Sequence, residues 1–231
     1  LMKNKLFYIF LVFFFLIYSK ATISNELDIK SKNINILENG NLIEAFGEVE
    51  VISSDGLIIK GDTSKYNKKD NLLVINGNVE VINEEQSIII KSNSVTYEKN
   101  KELIYSKGET KAQLKDGYVL STRDLFFNRK KLIIFSDEKT TLENKETYFE
   151  FEKFKSNLSK DLVNVENLLL IDKDKNKFLL KKAKINISNM EIIGDNAELF
   201  FKKSFFGNSE NDPRLIGEKL SNNDKETKVI K

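Results

Sequence analysis

The sequence predicts an all-β fold, one elongated body of about six repeats of strand, turn and strand. Three observations predict it. Two sequence blocks recur in step with a period near thirty residues, their apolar residues alternate with polar ones, and no segment after Ala21 sustains a helical period.

The first block reads IKSKNINI from Ile29, IKGDTSKY from Ile59, IKSNSVTY from Ile90, LSTRDLFF from Leu120, FEFEKFKS from Phe149 and LKKAKINI from Leu180. Its starts lie 30, 31, 30, 29 and 31 residues apart. The second reads AFGEVEV from Ala45, INGNVEV from Ile75, SKGETKA from Ser106, FSDEKTT from Phe135, NVENLLL from Asn164 and IGDNAEL from Ile193. Each block alternates as a half-buried strand does: Ile75, Val79 and Val81 fall on one face, Asn78 and Glu80 on the other. Between the blocks stand short polar turns, ENGN at Glu38, NKKDN at Asn67, EKNKE at Glu98, NRKK at Asn128, NLSKD at Asn157 and NISNM at Asn186. Asn and Gly tolerate the positive φ that tight hairpins need. Six such units give about a dozen strands, whose apolar face is buried either by coiling the sheet along its axis or by folding it into two facing sheets. Contacts are expected mainly between neighbouring repeats, and the two terminal strands leave unpaired N–H and C=O groups for docking.

The segments outside the repeats read differently. Residues 1–21 carry Lys3 and Lys5, an apolar run from Leu6 to Tyr18, and Ser19-Lys20-Ala21, the pattern of an export signal cleaved after Ala21. A retained membrane anchor is the alternative, although thirteen apolar residues fall short of the roughly 20 that span a bilayer. The repeat body is expected over residues 25–201. Residues 202–231 turn polar, hold the only proline, Pro213, and read as a linker or tail.

Composition excludes several chemistries. Cysteine and histidine are both absent, which removes disulfides, thiolate metal sites, the commonest general base and the usual nucleophilic triads. The 37 basic and 35 acidic residues nearly cancel, so no field points to nucleic acid. Glu48, Glu50 and Glu80 recur with the repeat on its polar face, as surface residues do rather than a catalytic pair. The run DKDKNK from Asp172 lacks the glycine and closing glutamate of a calcium loop. No enzyme, metal or cofactor is expected.

The GNVEV block, the IK block ending in Tyr and the hairpin joining them resemble the OstA-like repeats of the bacterial lipopolysaccharide-transport family, most closely in IIKGDTSKYNKKDNLLVINGNVEV from Ile58 to Val81. That resemblance implies an elongated twisted β-jellyroll that acts outside the cytoplasm, in the periplasm and at the outer membrane. It implies lipopolysaccharide as cargo, with the acyl chains of lipid A in an apolar interior, and other jellyrolls of the family as partners through exposed edge strands. Within the family the chain is most similar to the N-terminal periplasmic portion of the outer-membrane assembly protein, because FFGNSENDPRLIGEKLS from Phe205 resembles its connection to a barrel. The periplasmic bridge protein is the close second. Membrane association would then come from such a barrel or from a retained anchor.

On this reading the lipid-lining residues are Ile34, Ile36, Val49, Val51, Tyr66, Ile75, Val79, Val81, Val95, Tyr97, Leu125, Phe127, Phe154, Ile185 and Ile187, with Ser64 beside Tyr66. An ordinary packed core gives the same list, since alternating Val, Ile and Phe fill any half-buried strand. Lys30, Lys60, Lys91 and Lys181 repeat on the polar face, either at a lipid phosphate or, more simply, in solvent. The alternative function is a structural or adhesive β-solenoid that binds protein or polysaccharide on its outer face. Asp137 stands where the three preceding copies of the second block have glycine, which puts the local turn geometry in question.

Overall fold

The computed structural model describes residues 27–202, 207, 213–223 and 226–230. The export signal proposed for residues 1–21 lies outside the described residues. Among the described residues eighteen strands follow in chain order: β1 (Asp28–Lys30), β2 (Asn33–Leu37), β3 (Leu42–Ile52), β4 (Ile58–Asn67), β5 (Leu72–Asn83), β6 (Ile88–Glu98), β7 (Leu103–Gln113), β8 (Val119–Thr122), β9 (Leu125–Asn128), β10 (Ile133–Ser136), β11 (Thr140–Glu143), β12 (Tyr148–Phe151), β13 (Lys153–Asn157), β14 (Leu162–Ile171), β15 (Lys177–Asn186), β16 (Glu191–Phe200), β17 (Arg214–Asn222) and β18 (Thr227–Ile230). Four rows are split in two at their centre, as β1 with β2, β8 with β9, β10 with β11 and β12 with β13. Counting each as one row gives two rows per repeat through β16, and every row pairs antiparallel with the next.

The rows from β3 to β7 are irregular in their middle, and the irregularity has a sequence cause. In β3 and β5 the pairs Gly47-Glu48 and Gly77-Asn78 take positive φ, 78° with 52° and 80° with 48°. There the register against the neighbouring strand slips by one residue. This is a bulge, which bends a strand and raises its twist. Inward positions resume on the far side, Ile75 passing to Val79 and Ser106 to Thr110, so both halves of a bent row contribute to one continuous core. Where Asp137 replaces the glycine, the row breaks into β10 and β11 instead. The residues at this crease are small and polar in the middle rows: Thr122 Oγ1 lies 3.0 Å from both Ser136 Oγ and Thr140 Oγ1, and Ser106 Oγ lies 2.9 Å from Thr110 Oγ1. A ladder of buried hydroxyls satisfies itself at the line where the sheet folds.

The turns at one end of the rows stack on each other. The N–H of Lys68 donates to Asn41 O, Lys99 to Asn71 O, Arg129 to Glu102 O, Leu158 to Leu132 O and Ile187 to Asp161 O, at 2.8 to 3.0 Å. Asn71, Glu102, Leu132, Asp161 and Met190 close these turns with φ between 50° and 53°. We call this the spine end and the opposite row ends, at residues 53–57, 84–87, 114–118, 144–147 and 172–176, the free end.

Two sequence expectations need correction. The stretch read as a linker carries β17 and β18: β17 pairs with β16 from Phe200↔Arg214 to Ile192↔Asn222, and Leu220 is buried. Its polar composition hides a strand because only one of its positions meets the core. The last strand of the repeat body, β16, expected to leave its backbone groups unpaired, is therefore covered by β17.

Candidate functional site

A bent sheet brings its two margins together, and here the free end of one row meets the spine end about two and a half repeats further on. Asp55, in the free-end turn between β3 and β4, lies 2.9 Å from Nη2 of Arg129, in the spine turn between β9 and β10. The 84–87 and 114–118 turns face the 158–161 and 187–190 turns in the same way. The result is a seam along the body.

At Arg129 the seam is polar and shut. Its side chain is only 8% exposed, and Nη1 reaches Glu102 Oε2 at 2.6 Å. The Tyr97 hydroxyl donates to the same carboxylate at 3.0 Å, and Arg129 Nε is buried without a partner. Burial pushes the Tyr97 phenol up, reinforced by the negative charge of Glu102, so it stays a donor. Burial alone would raise the Asp55 carboxyl, yet the Ser53 hydroxyl and the Arg129 guanidinium hold it below its ordinary value.

Further along, the seam becomes apolar and opens into a groove of 490 Å³. Its floor is Leu120, Ile134, Leu142, Phe151, Phe154 and Val163, and its walls include Leu158 and Ile187 on the spine side and Leu114 on the free side. Glu85, Lys115, Asp116, Asp161 and Ser188 form a polar rim. A small apolar recess adjoins it, lined in part by Tyr118, Phe149, Ile185 and Met190. Burial, then the nearby Asp116, raises the Tyr118 phenol, which stays neutral at this mouth. Such a site offers dispersion contacts to a hydrocarbon and water-exposed charges to a polar head. Among the described residues no group of three His, Cys, Asp or Glu stands where a metal ion could be held.

The residues expected to line the interior divide into three sets. Phe154 and Ile187 border the groove and Ile185 its recess. Val49, Val51, Tyr66, Ile75, Val79, Val81, Val95, Tyr97, Leu125 and Phe127 are closed into the packed core, as is Ser64. Ile34 and Ile36 are not enclosed: they are 43% and 66% exposed. They pair with Ala45 and Ile43, so they sit on the inner face, but β2 belongs to the first row and, among the described residues, nothing lies over it. Sequence reasoning missed Leu158, Leu120, Ile134, Leu142 and Val163. The signal for Leu158 was present, an apolar residue opening a turn whose four earlier copies open with charged residues, Glu38, Lys68, Lys99 and Arg129.

On the outer face the repeated lysines meet the repeated glutamates. Lys60 lies 3.4 Å from Glu50, Lys91 lies 3.1 Å from Glu80, and Lys30 lies 3.9 Å from Glu50. These are exposed cross-strand pairs of small individual effect.

A family model described as OstA-like protein matches residues 24–152. Among solved structures, the chain is similar to LptH of Pseudomonas aeruginosa, described as the LptA-homologous periplasmic component of a conserved lipopolysaccharide transport device. The identity is 11% and the TM-score 0.39, over 45% of this chain and 76% of that one. No curated protein matches the chain.

Proposed function

The chain belongs to the OstA-like family, and from that premise we propose that it is a non-catalytic module of lipopolysaccharide transport outside the cytoplasm. It shields the acyl chains of lipid A in the seam groove while the sugars stay in solvent. The observation that carries this reading is the groove itself, an apolar floor under a charged rim and continuous with a single hydrophobic core. Covering apolar surface is worth about 25 cal/mol per Å², so affinity needs no catalytic or metal group.

The ends of the body suit assembly with other jellyrolls at the outer membrane, either as a bridge or as the periplasmic part of an assembly protein. Among the described residues, β2 has no strand on its outer side, with Ile34, Ile36 and Leu37 exposed beside it, and the first half of β17 presents Leu215 and Ile216. Strand addition at such an edge supplies main-chain hydrogen bonds and side-chain pockets together.

Photocrosslinking tests the cargo. A photoreactive phenylalanine at Leu158, Ile187 or Phe154 should give adducts with lipopolysaccharide, and one at the outer-face positions Lys60 or Glu80 should not. Adducts confined to the outer face would favour the adhesive-solenoid reading, and none at the three groove positions would overturn the lipid reading.

A further inference from the structure

After Glu38 in the first spine turn, the residue that opens the next five changes character along the chain: Lys68, Lys99, Arg129, then Leu158 and Ile187. Their backbone N–H groups form one hydrogen-bonded ladder, so the five occupy equivalent places on the margin of the seam. Arg129 crosses the seam to Asp55, and the groove begins where the ladder turns apolar.

We propose that the seam is clasped on its N-terminal side by Arg129 and opens only on its C-terminal side. The hydrocarbon part of an amphiphile would enter sideways there, between Leu158 with Ile187 and the facing turns at 84–87 and 114–118. This rests on the lipid reading above and adds to it where the cargo enters. The energetics differ along the seam. Parting the margins at Arg129 takes Asp55 from a nearly buried guanidinium and leaves it Glu102 alone, on its own margin, so a charge-assisted contact is lost with nothing to replace it. Parting them at Leu158 breaks only apolar contacts, which an entering alkyl chain replaces. Among the described residues no ion pair spans the seam between the 84–87 or 114–118 turns and the 158–161 or 187–190 turns. The occupant follows from the lining: a floor apolar but for the Ser156 hydroxyl takes the chain, and Glu85, Lys115, Asp116 and Asp161 at the rim require a head that stays in water.

The chain has no cysteine, so nitroxide labels can be placed cleanly. One pair, Ser54→Cys with Lys130→Cys, spans the clasp, and a second, Asp116→Cys with Ser188→Cys, spans the groove. Lipopolysaccharide binding is followed separately, by displacement of a dansylated undecanoic acid. Saturation with lipopolysaccharide should lengthen the second distance and leave the first unchanged. Displacement accompanied by movement of the first pair, or of neither, overturns the inference and leaves the lipid reading standing. Absence of displacement overturns the lipid reading and the inference with it. Arg129→Met should widen the first pair without ligand, and an unchanged distance counts against the clasp. Because that variant disturbs a buried group, Leu158→Arg provides the second measure: affinity for the fatty-acid probe should fall at least tenfold with the strand content retained, and unchanged affinity refutes entry at this point.

Discussion

Gly77 and Gly108 stand at the same place in successive second blocks, with φ of 80° and 84°, and alanine should distinguish their roles. Any L side chain in this left-handed region costs about 1–2 kcal/mol. At Gly108 that is the whole cost, because an added Cβ meets nothing within 4 Å. At Gly77 the same atom would lie 2.3 Å from Asp62 Oδ2 and 2.8 Å from Asp62 Cβ, so the backbone of β4 must shift as well as its side chain. Overpacking of that kind costs about 1–3 kcal/mol. Moving Asp62 also endangers its hydrogen bond from Asn78 Nδ2, 2.9 Å long, and a bond to a charged group contributes about 1.5–3 kcal/mol. Gly108→Ala should therefore lose about 1–2 kcal/mol, and Gly77→Ala about twice to three times as much by adding the steric term. Urea unfolding followed by circular dichroism at 218 nm, with roughly equal slopes for the two variants, reads the difference directly. Equal losses would refute the view that the bulge is a close-packed crease and leave it a matter of backbone preference alone.

The hydroxyl ladder gives a second expectation. Thr122→Val strips Ser136 and Thr140 of a partner inside the core and should cost about 1–3 kcal/mol in the same unfolding assay, whereas Thr141→Val on the neighbouring position should be nearly neutral. Acid should act on the clasp through Asp55, whose carboxyl is depressed in the folded chain. A depressed carboxyl stabilises fully above its unfolded value of about 3.9 and loses that contribution as pH falls through the lower folded value. The labelled 54 and 130 pair should accordingly hold its distance from pH 7 to about pH 5 and lengthen only below about pH 4; lengthening near neutrality would show that another group holds the seam. Ile36→Pro removes a backbone donor from the edge row and should abolish association with a partner jellyroll while circular dichroism stays unchanged, and undiminished association would place the contact elsewhere.

Much of this architecture is readable from periodicity, and the part that is not has a physical reason. A repeat of thirty residues with alternating faces fixes which side chains point inward, so Ile75, Val79, Val95 and Phe127 are found in the core where alternation puts them. Alternation cannot say what lies over an inward face. Ile36 alternates as well as Ile75 does, yet it is exposed because its row is first, and coverage comes from rows far away in sequence. The groove has the same origin. Its walls are turns separated by about two and a half repeats, brought together by the accumulated bend of the rows between them. The bulge that causes the bend is legible as Gly-Asn in INGNVEV, but its sum over several rows is not. What the turns themselves do record is the chemistry of the margin. NKKDN, EKNKE and NRKK begin their turns with a cation after the first residue, while NLSKD and NISNM place Leu158 and Ile187 there. An exposed turn gains nothing from a large apolar residue at a site where its repeat neighbours carry lysine. Two in succession mark a margin that meets apolar surface, and the groove lies against them.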